Sequence, residues 1–264
     1  MSAVDEGSPF VRLQNNLCEL RLDEMAASLP AHMRAVAAGE SDFCGALLEM
    51  TQAEMARKGA DELDRRVRAA GFPYVKTLAD FDFGFQPSIP RGVVEELATL
   101  RFLEQAENVL LVGNPGTGKT HISVALGIEA VKARKEVRFI DCARLIDDLK
   151  AAARLGNLER RIRYYAHATL LVIDEVGYLG VDEEGADLMF RLVSARYERR
   201  STIITTNVGL RGWPEVFGDA VTANAIADRL CHHCTHLKIT GRSYRMKDLP
   251  LDEQSGPPDK EEVP

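Results

Sequence analysis

The run NVLLVGNPGTGKTH, residues 108–121, restricts the possible folds more than any other part of this chain. An apolar segment, Asn108–Val112, leads into Gly113-x₄-Gly118-Lys119-Thr120, and a helical pattern follows from His121 to Ala133. Glycines let such a loop curl so that successive backbone N–H groups point inward at phosphate oxygens. The helix that follows turns its positive end toward the same phosphates. Gly113, Asn114, Pro115, Gly116, Thr117, Gly118, Lys119, Thr120 and His121 are therefore the candidate nucleotide-binding residues. Lys119 is expected to reach the β- and γ-phosphates of ATP, and the Thr120 hydroxyl to ligate Mg²⁺.

Such a loop needs a sheet around it, and the sequence supplies one. Strand candidates at Asn108–Val112, Val137–Ile140, Thr169–Ile173, Ser201–Thr206 and His236–Ile239 alternate with helical patterns. That alternation predicts an α/β fold with a mainly parallel sheet flanked by helices. Strand order is not readable from the sequence.

Two of these strands end in groups suited to hydrolysis. TLLVIDEVGYL is expected to be a buried strand ending in Asp174-Glu175, with Asp174 facing Mg²⁺ and Glu175 polarising a water against the γ-phosphate. STIITTNVGL ends in Thr205, Thr206 and Asn207, where an amide can orient that water. A turn residue is the simpler reading of Asn207 taken alone; as the third strand end of a set it becomes a candidate sensor. A small-molecule kinase would share the loop but would also need a phosphoacceptor pocket and an arginine-bearing lid, and no segment reads as either.

The flanks are different in character. Leu13, Leu17 and Leu20 recur at helical spacing, Ser41-Asp42 precedes a second helical run with Leu47, Leu48, Met50 and Met55, and Ala60–Ala70 forms a charged third. Residues 1–70 thus read as a small all-helical domain suited to DNA, partner or self-association. Residues 71–90, with three prolines, read as a linker. Within it Phe81, Phe83 and Phe85 either seal the edge of the next domain, 91–247, or wall a bound base. The chain's net charge is −7, but residues 248–264 hold six acids and one lysine, a net of −5, which leaves −2 for the rest. This tail is expected to be disordered. Basic patches at 150–163, 191–200 and 238–247 leave room for phosphate-backbone contacts. Arg57, Lys58, Arg65, Arg66 and Arg68, and the Arg160-Arg161-Arg163 group, are the candidate DNA contacts. The polar, acidic opening is unlike a secretory leader, and no apolar run reaches transmembrane length. Five cysteines do not form a disulfide pattern, so a reducing cytoplasm is expected.

Several long runs resemble the IstB-type ATP-binding helpers of insertion-sequence transposition, AAA+ ATPases related to DnaC-type helicase loaders. They are TLADFDFGFQPSIPRGVVEELATLRFLEQAENVLLVGNPGTGKTH, LLVIDEVGYLGVDEEGADLMFRLVSARYERRSTIITTN, WPEVFGD, ADRLCHH and GRSYRMK, and the resemblance spans Leu13 to Lys247. It implies an AAA+ module that forms a homo-oligomer around duplex DNA, recruits and stimulates a partner transposase of the IstA type, and resets on ATP hydrolysis. By resemblance Lys119 and the loop bind nucleotide, Asp174 supports Mg²⁺, Glu175 is the base and Asn207 the first sensor. Arg229 falls at the position of an arginine finger acting on a neighbouring subunit, and Arg245 at that of a second sensor. A DnaC-type helicase loader is the alternative.

Next to Arg229, Cys231 and Cys234 have C-x₂-C spacing, which raises zinc. Cys18, Cys44 and Cys142 lie in other predicted elements, and His232, His233 and His236 are too close in sequence to act easily as a second ligand pair. The two cysteines therefore read as helix-end and loop packing.

Overall fold

The structure, a computed structural model, describes residues 7–247; the acidic tail lies outside the described residues. The chain divides into two compact units, Met1–Arg66 and Val67–Pro264.

The first unit is built from α1 (Pro9–Glu19), α2 (Asp23–Ala37) and most of α3 (Phe43–Ala70). Leu17, Met25, Ala26, Leu29 and Met50 form its core. Ser8 caps α1 by accepting from Val11 N–H, with Pro9 pre-set at the first helical position. Two expectations need correction. The helical runs expected after Ser41-Asp42 and at Ala60–Ala70 are one continuous 28-residue helix, α3. Of the predicted apolar positions only Leu17 and Met50 are buried; Leu13, Leu20, Leu47, Leu48 and Met55 are exposed. Correct periodicity located the helices without showing which stripe is covered.

The intervening α2 was hidden by Pro30, which sits inside it. Proline removes the N–H that would bond Ala26 O. The Gln14 side chain donates to that carbonyl instead, at 3.2 Å. The start of α2 also lacks a side-chain cap of its own. Buried Glu54 on α3 supplies it, accepting from Glu24 N–H at 2.8 Å and Met25 N–H at 3.2 Å. Burial alone would raise this carboxyl's pKa; the bonds from Arg57 and the two amides outweigh it and hold the group below the usual range.

The second unit begins with the last turn of α3. Residues 71–90, expected as a linker, are part of this unit: the Phe72 ring packs over Gly127, and His121 Nε2 lies 2.9 Å from Thr77 O. The elements that follow are α4 (Arg91–Ala98), α5 (Arg101–Glu104), β1 (Asn108–Gly113), α6 (Lys119–Lys132), β2 (Val137–Asp141), α7 (Cys142–Arg154), α8 (Leu158–His167), β3 (Leu170–Val176), α9 (Glu183–Arg196), β4 (Ser201–Thr206), α10 (Trp213–Phe217), α11 (Ala220–Cys231) and β5 (Cys234–Ile239). The five strands form one sheet in the order β2-β3-β4-β1-β5, and every pairing is parallel. Both faces are covered, so the central strands are apolar throughout rather than alternating. Leu170, Leu171, Val172 and Ile173 are all fully buried. Asp141, Asp182 and Asp219 cap α7, α9 and α11 by accepting backbone N–H bonds in their first turns. Non-consecutive strands being neighbours makes β1 and β3 flank β4, which brings the three predicted strand ends to one edge.

Candidate functional site

At the carboxyl end of this sheet lies a cleft of about 490 Å³, lined among others by Tyr74, Phe81, Pro115–His121, Glu175, Asn207 and Arg245. Open parallel sheets bind ligands at this end. The loop between β1 and α6 forms its base. Gly118 has φ +98, and a Cβ there would lie 2.6 Å from the Phe81 ring. Gly116, φ +77, is met from the other side by Ser243, and its carbonyl accepts from Tyr244 N–H at 2.9 Å. Only glycine serves at either position. The helix starts at Lys119, two residues earlier than its pattern suggested, so loop and helix N-terminus merge.

Lys119 Nζ donates to Gly113 O at 2.6 Å and Asn114 O at 2.8 Å, which keeps the ammonium folded over its own loop. Burial lowers its pKa, and Asp174 and Glu175 partly counter that. Thr120 Oγ1 donates to both oxygens of Asp174, at 3.1 Å each. Thr205 Oγ1 donates to Asp174 Oδ1 at 2.5 Å and accepts from Glu175 N–H at 3.0 Å. Thr205 thus positions both acids, a role that sequence reasoning missed because it had only marked the polar strand end.

β3 does not end at Asp174-Glu175, as expected; it runs on to Val176. Its register with β4 shifts between Ile173 and Val176, so the two acids sit in a bulge. Glu175 takes φ +60, a left-handed conformation that costs a non-glycine residue about 1 kcal/mol or more. The bulge turns Asp174 down into the sheet, 6% exposed, and Glu175 out into the cleft. Burial raises the pKa of Asp174, and the Thr205 and Thr120 bonds oppose it. Burial also raises Glu175, and so do Asp174 and Asp141, the latter by charge and by a hydrogen bond. Asp141 pairs with Asp174 across β2 and β3, a proximity that no sequence spacing reveals.

His121 lines the cleft, with its ring edge-on to Phe81 at 5.1 Å. Of the three phenylalanines, Phe81 alone lines the cleft; Phe83 stacks on it at 4.8 Å and Phe85 packs against Tyr244 at 5.0 Å. Phe81 is thus the one of the three placed to meet a bound base, while Phe83 and Phe85 pack on protein rings. Arg245 reaches the cleft from a short 3₁₀ turn, Tyr244–Met246. Arg229 does not line it. On the last turn of α11, its guanidinium lies 4.6 Å from the Phe190 ring centroid and donates to Ala225 O at 3.1 Å. Cys231 Sγ lies 3.6 Å from His236 Nε2. Among the candidate DNA contacts, Arg57, Lys58, Arg65, Arg66 and Arg161 are ion-paired to acids, while Arg68, Arg160 and Arg163 have no ion pair among the described residues.

A parallel sheet with this strand order, a glycine-rich phosphate loop after β1 and paired acids at the end of β3, one strand removed across β4, together define an AAA+ type P-loop module. Solved structures of that fold agree. The DnaC helicase loader superposes with a TM-score of 0.50 at 23% identity, covering 66% of this chain and 98% of that one. AMPPCP-bound DnaA from Aquifex aeolicus gives 0.54 at 22%, covering 64% and 51%. The chain belongs to the family described as IstB-like ATP binding protein, which matches residues 15–250. Relatives named for ATP binding include one from insertion sequence IS232 of Bacillus thuringiensis subsp. berliner, 42% identical over 90% of this chain and 96% of its own length. Another, from IS21 of Pseudomonas aeruginosa, is 43% identical over 88% of each. No helix among the described residues is long and apolar enough to cross a membrane.

Proposed function

We propose that this protein is an ATP-hydrolysing helper of insertion-sequence transposition that assembles on duplex DNA in the cytoplasm and recruits the partner transposase, of the IstA type. The observation that carries the reading is the bulge in β3, which separates two adjacent acids into a buried metal-side carboxylate and an exposed base at the same cleft. The DnaC likeness is one of fold alone, whereas the insertion-sequence relatives match about nine-tenths of the chain, so transposition is favoured over helicase loading.

In this mechanism Lys119 leaves its own loop carbonyls to contact the β- and γ-phosphates, and the loop N–H groups bind the remaining oxygens. The donor set beside the phosphates, Thr120 Oγ1 and Asp174, is all oxygen and suits a hard cation. Mg²⁺ held there would neutralise charge on the phosphates. Glu175 takes the proton of the attacking water, which Asn207 orients. Arg245 acts on nucleotide in its own subunit, as a second sensor. Arg229, absent from its own cleft, acts on the γ-phosphate of a neighbouring subunit; such fingers supply about 10³–10⁵ in rate in related NTPases. Exposed Phe43, Leu47 and Leu48 on α3 offer the first unit an apolar surface for self-association or for the transposase. Of the candidate DNA contacts, Arg68, Arg160 and Arg163 are the ones without an acidic partner among the described residues, and they face DNA phosphates.

Complementation in mixed assemblies tests the shared site. Arg229→Ala binds ATP without hydrolysing it, and Glu175→Gln likewise. Mixed, they regain part of the wild-type rate, because one kind of interface then has both base and finger. Absence of any recovery would rule out action between subunits.

A further inference from the structure

At the other end of the sheet, three side chains from two separate connections converge. Glu198 lies between α9 and β4, and His232 and His233 lie between α11 and β5. His232 Nδ1 is 3.3 Å and His233 Nε2 3.9 Å from Glu198 Oε1, and the three atoms all lie within 4.8 Å of one another. Four ligands arranged tetrahedrally around Zn²⁺ at about 2.0–2.1 Å stand roughly 3.3–3.4 Å apart. The shorter contact already has that spacing, and the others reach it by small rotations of half-exposed side chains.

The backbone that carries these ligands is held from a single residue. Asn108, at the start of β1, donates its N–H to His233 O at 2.8 Å and its side-chain amide to Leu230 O at 3.0 Å. Its carbonyl oxygen accepts from Thr202 N–H at 2.9 Å, four residues after Glu198. Both ligand-bearing connections are therefore tied to the same point, the support a ligand set needs to be pre-organised. His232 is also the C-cap of α11, where the helix's last carbonyls favour positive charge. Glu198 holds φ +54, unusual for its residue type.

We infer that Glu198, His232 and His233 form a site for a divalent transition metal, Zn²⁺ being the ion their two imidazoles and one carboxylate suit best. Water completes the coordination. Tyr197 Oη, 2.8 Å from His232 Nδ1, competes for that nitrogen and is displaced on binding. The site is distinct from a C-x₂-C zinc site, because Cys231 and Cys234 are not among its ligands. It lies away from the nucleotide cleft and does not depend on the proposed ATPase activity.

The test is a Zn²⁺ titration of the full, tag-free chain against a chromophoric chelator, with Co²⁺ absorption as a second readout. One equivalent is expected. His232→Ala, His233→Ala and Glu198→Gln should each weaken it about tenfold or more. Tyr197→Phe should bind at least as tightly as wild type, and the Cys231→Ser/Cys234→Ser pair unchanged. Circular dichroism and ATP binding by the variants check that they are folded. No binding by the intact chain would overturn the inference. So would loss of the ion in the cysteine pair with retention in the histidine variants.

Discussion

Each end of the five-stranded sheet buries one charged side chain, and the two are treated in opposite ways. At the amino end Arg196, 2% exposed, spends its donors on the protein. It bonds the carbonyls of Tyr165, Ala166, Ala168 and Ser201 and the Thr202 hydroxyl, clasping the starts of β3 and β4. Burial, then Arg200, lower its pKa to about 9, still above neutrality, so the clasp stays charged. At the carboxyl end Asp174 has only two hydroxyl donors, and burial disfavours its charged form as it does that of Arg196, raising the acid's pKa. Beside it Glu175 carries backbone strain, and among the described residues Lys119 donates its hydrogen bonds to loop carbonyls. Arg196 is satisfied by the protein around it, whereas Asp174, Glu175 and Lys119 are placed where phosphates and a hard cation would satisfy them. That contrast is a physical sign of a binding site, independent of any relative.

The contrast can be broken at several points. Lys119→Ala should have the largest effect: nucleotide binding falls by two orders of magnitude or more, about 3 kcal/mol, while thermal stability hardly changes. Isothermal titration with ATP and Mg²⁺ reads the first, and melting the second. The mirror experiment is Arg196→Met, which takes the Arg196 donors away from four carbonyls. It should cost about 3 kcal/mol or more of stability, or roughly 6–12 °C in melting temperature for a unit of this size, with ATP affinity intact in the folded fraction. If Arg196→Met spared stability and weakened ATP binding, the division between the two ends would be wrong.

The smallest effect is a shift in pH dependence. As the proposed base Glu175 must be ionised to act, and burial, Asp174 and Asp141 raise its pKa. Turnover is therefore full at higher pH and is lost as pH falls through that raised value. Asp141→Asn removes one negative charge, and asparagine can still cap α7 by accepting from Arg144 N–H. The acid limb of the kcat profile should move to lower pH. An unchanged limb would show that Asp141 does not influence the base.

The parts of this site written in short stretches of chain were legible beforehand. Gly113–Thr120, Asp174, Glu175 and Asn207 each sit where a local run of residues changes character, from apolar strand to polar end. Contacts between strands were not, because the order β2-β3-β4-β1-β5 is decided by packing. Thr205 under both acids, Asp141 beside them and Arg196 across two strand starts all depend on that order. The same limit explains α2. Pro30 argues against a helix until Gln14, 16 residues away, is seen to satisfy the carbonyl it orphans. The bulge at Glu175 was also invisible, since nothing in IDEV marks a left-handed residue.

The central claim is that Glu175 is the base of an ATPase whose ATP-bound form is the assembled, DNA-holding form. It is tested most directly with Glu175→Gln, by following ADP release and particle mass on duplex DNA in ATP and Mg²⁺. ADP release should fall about 100-fold or more, with a DNA-bound assembly that outlasts the wild type's. Undiminished ADP release, or a variant that hydrolyses poorly yet never gathers on DNA, would contradict it.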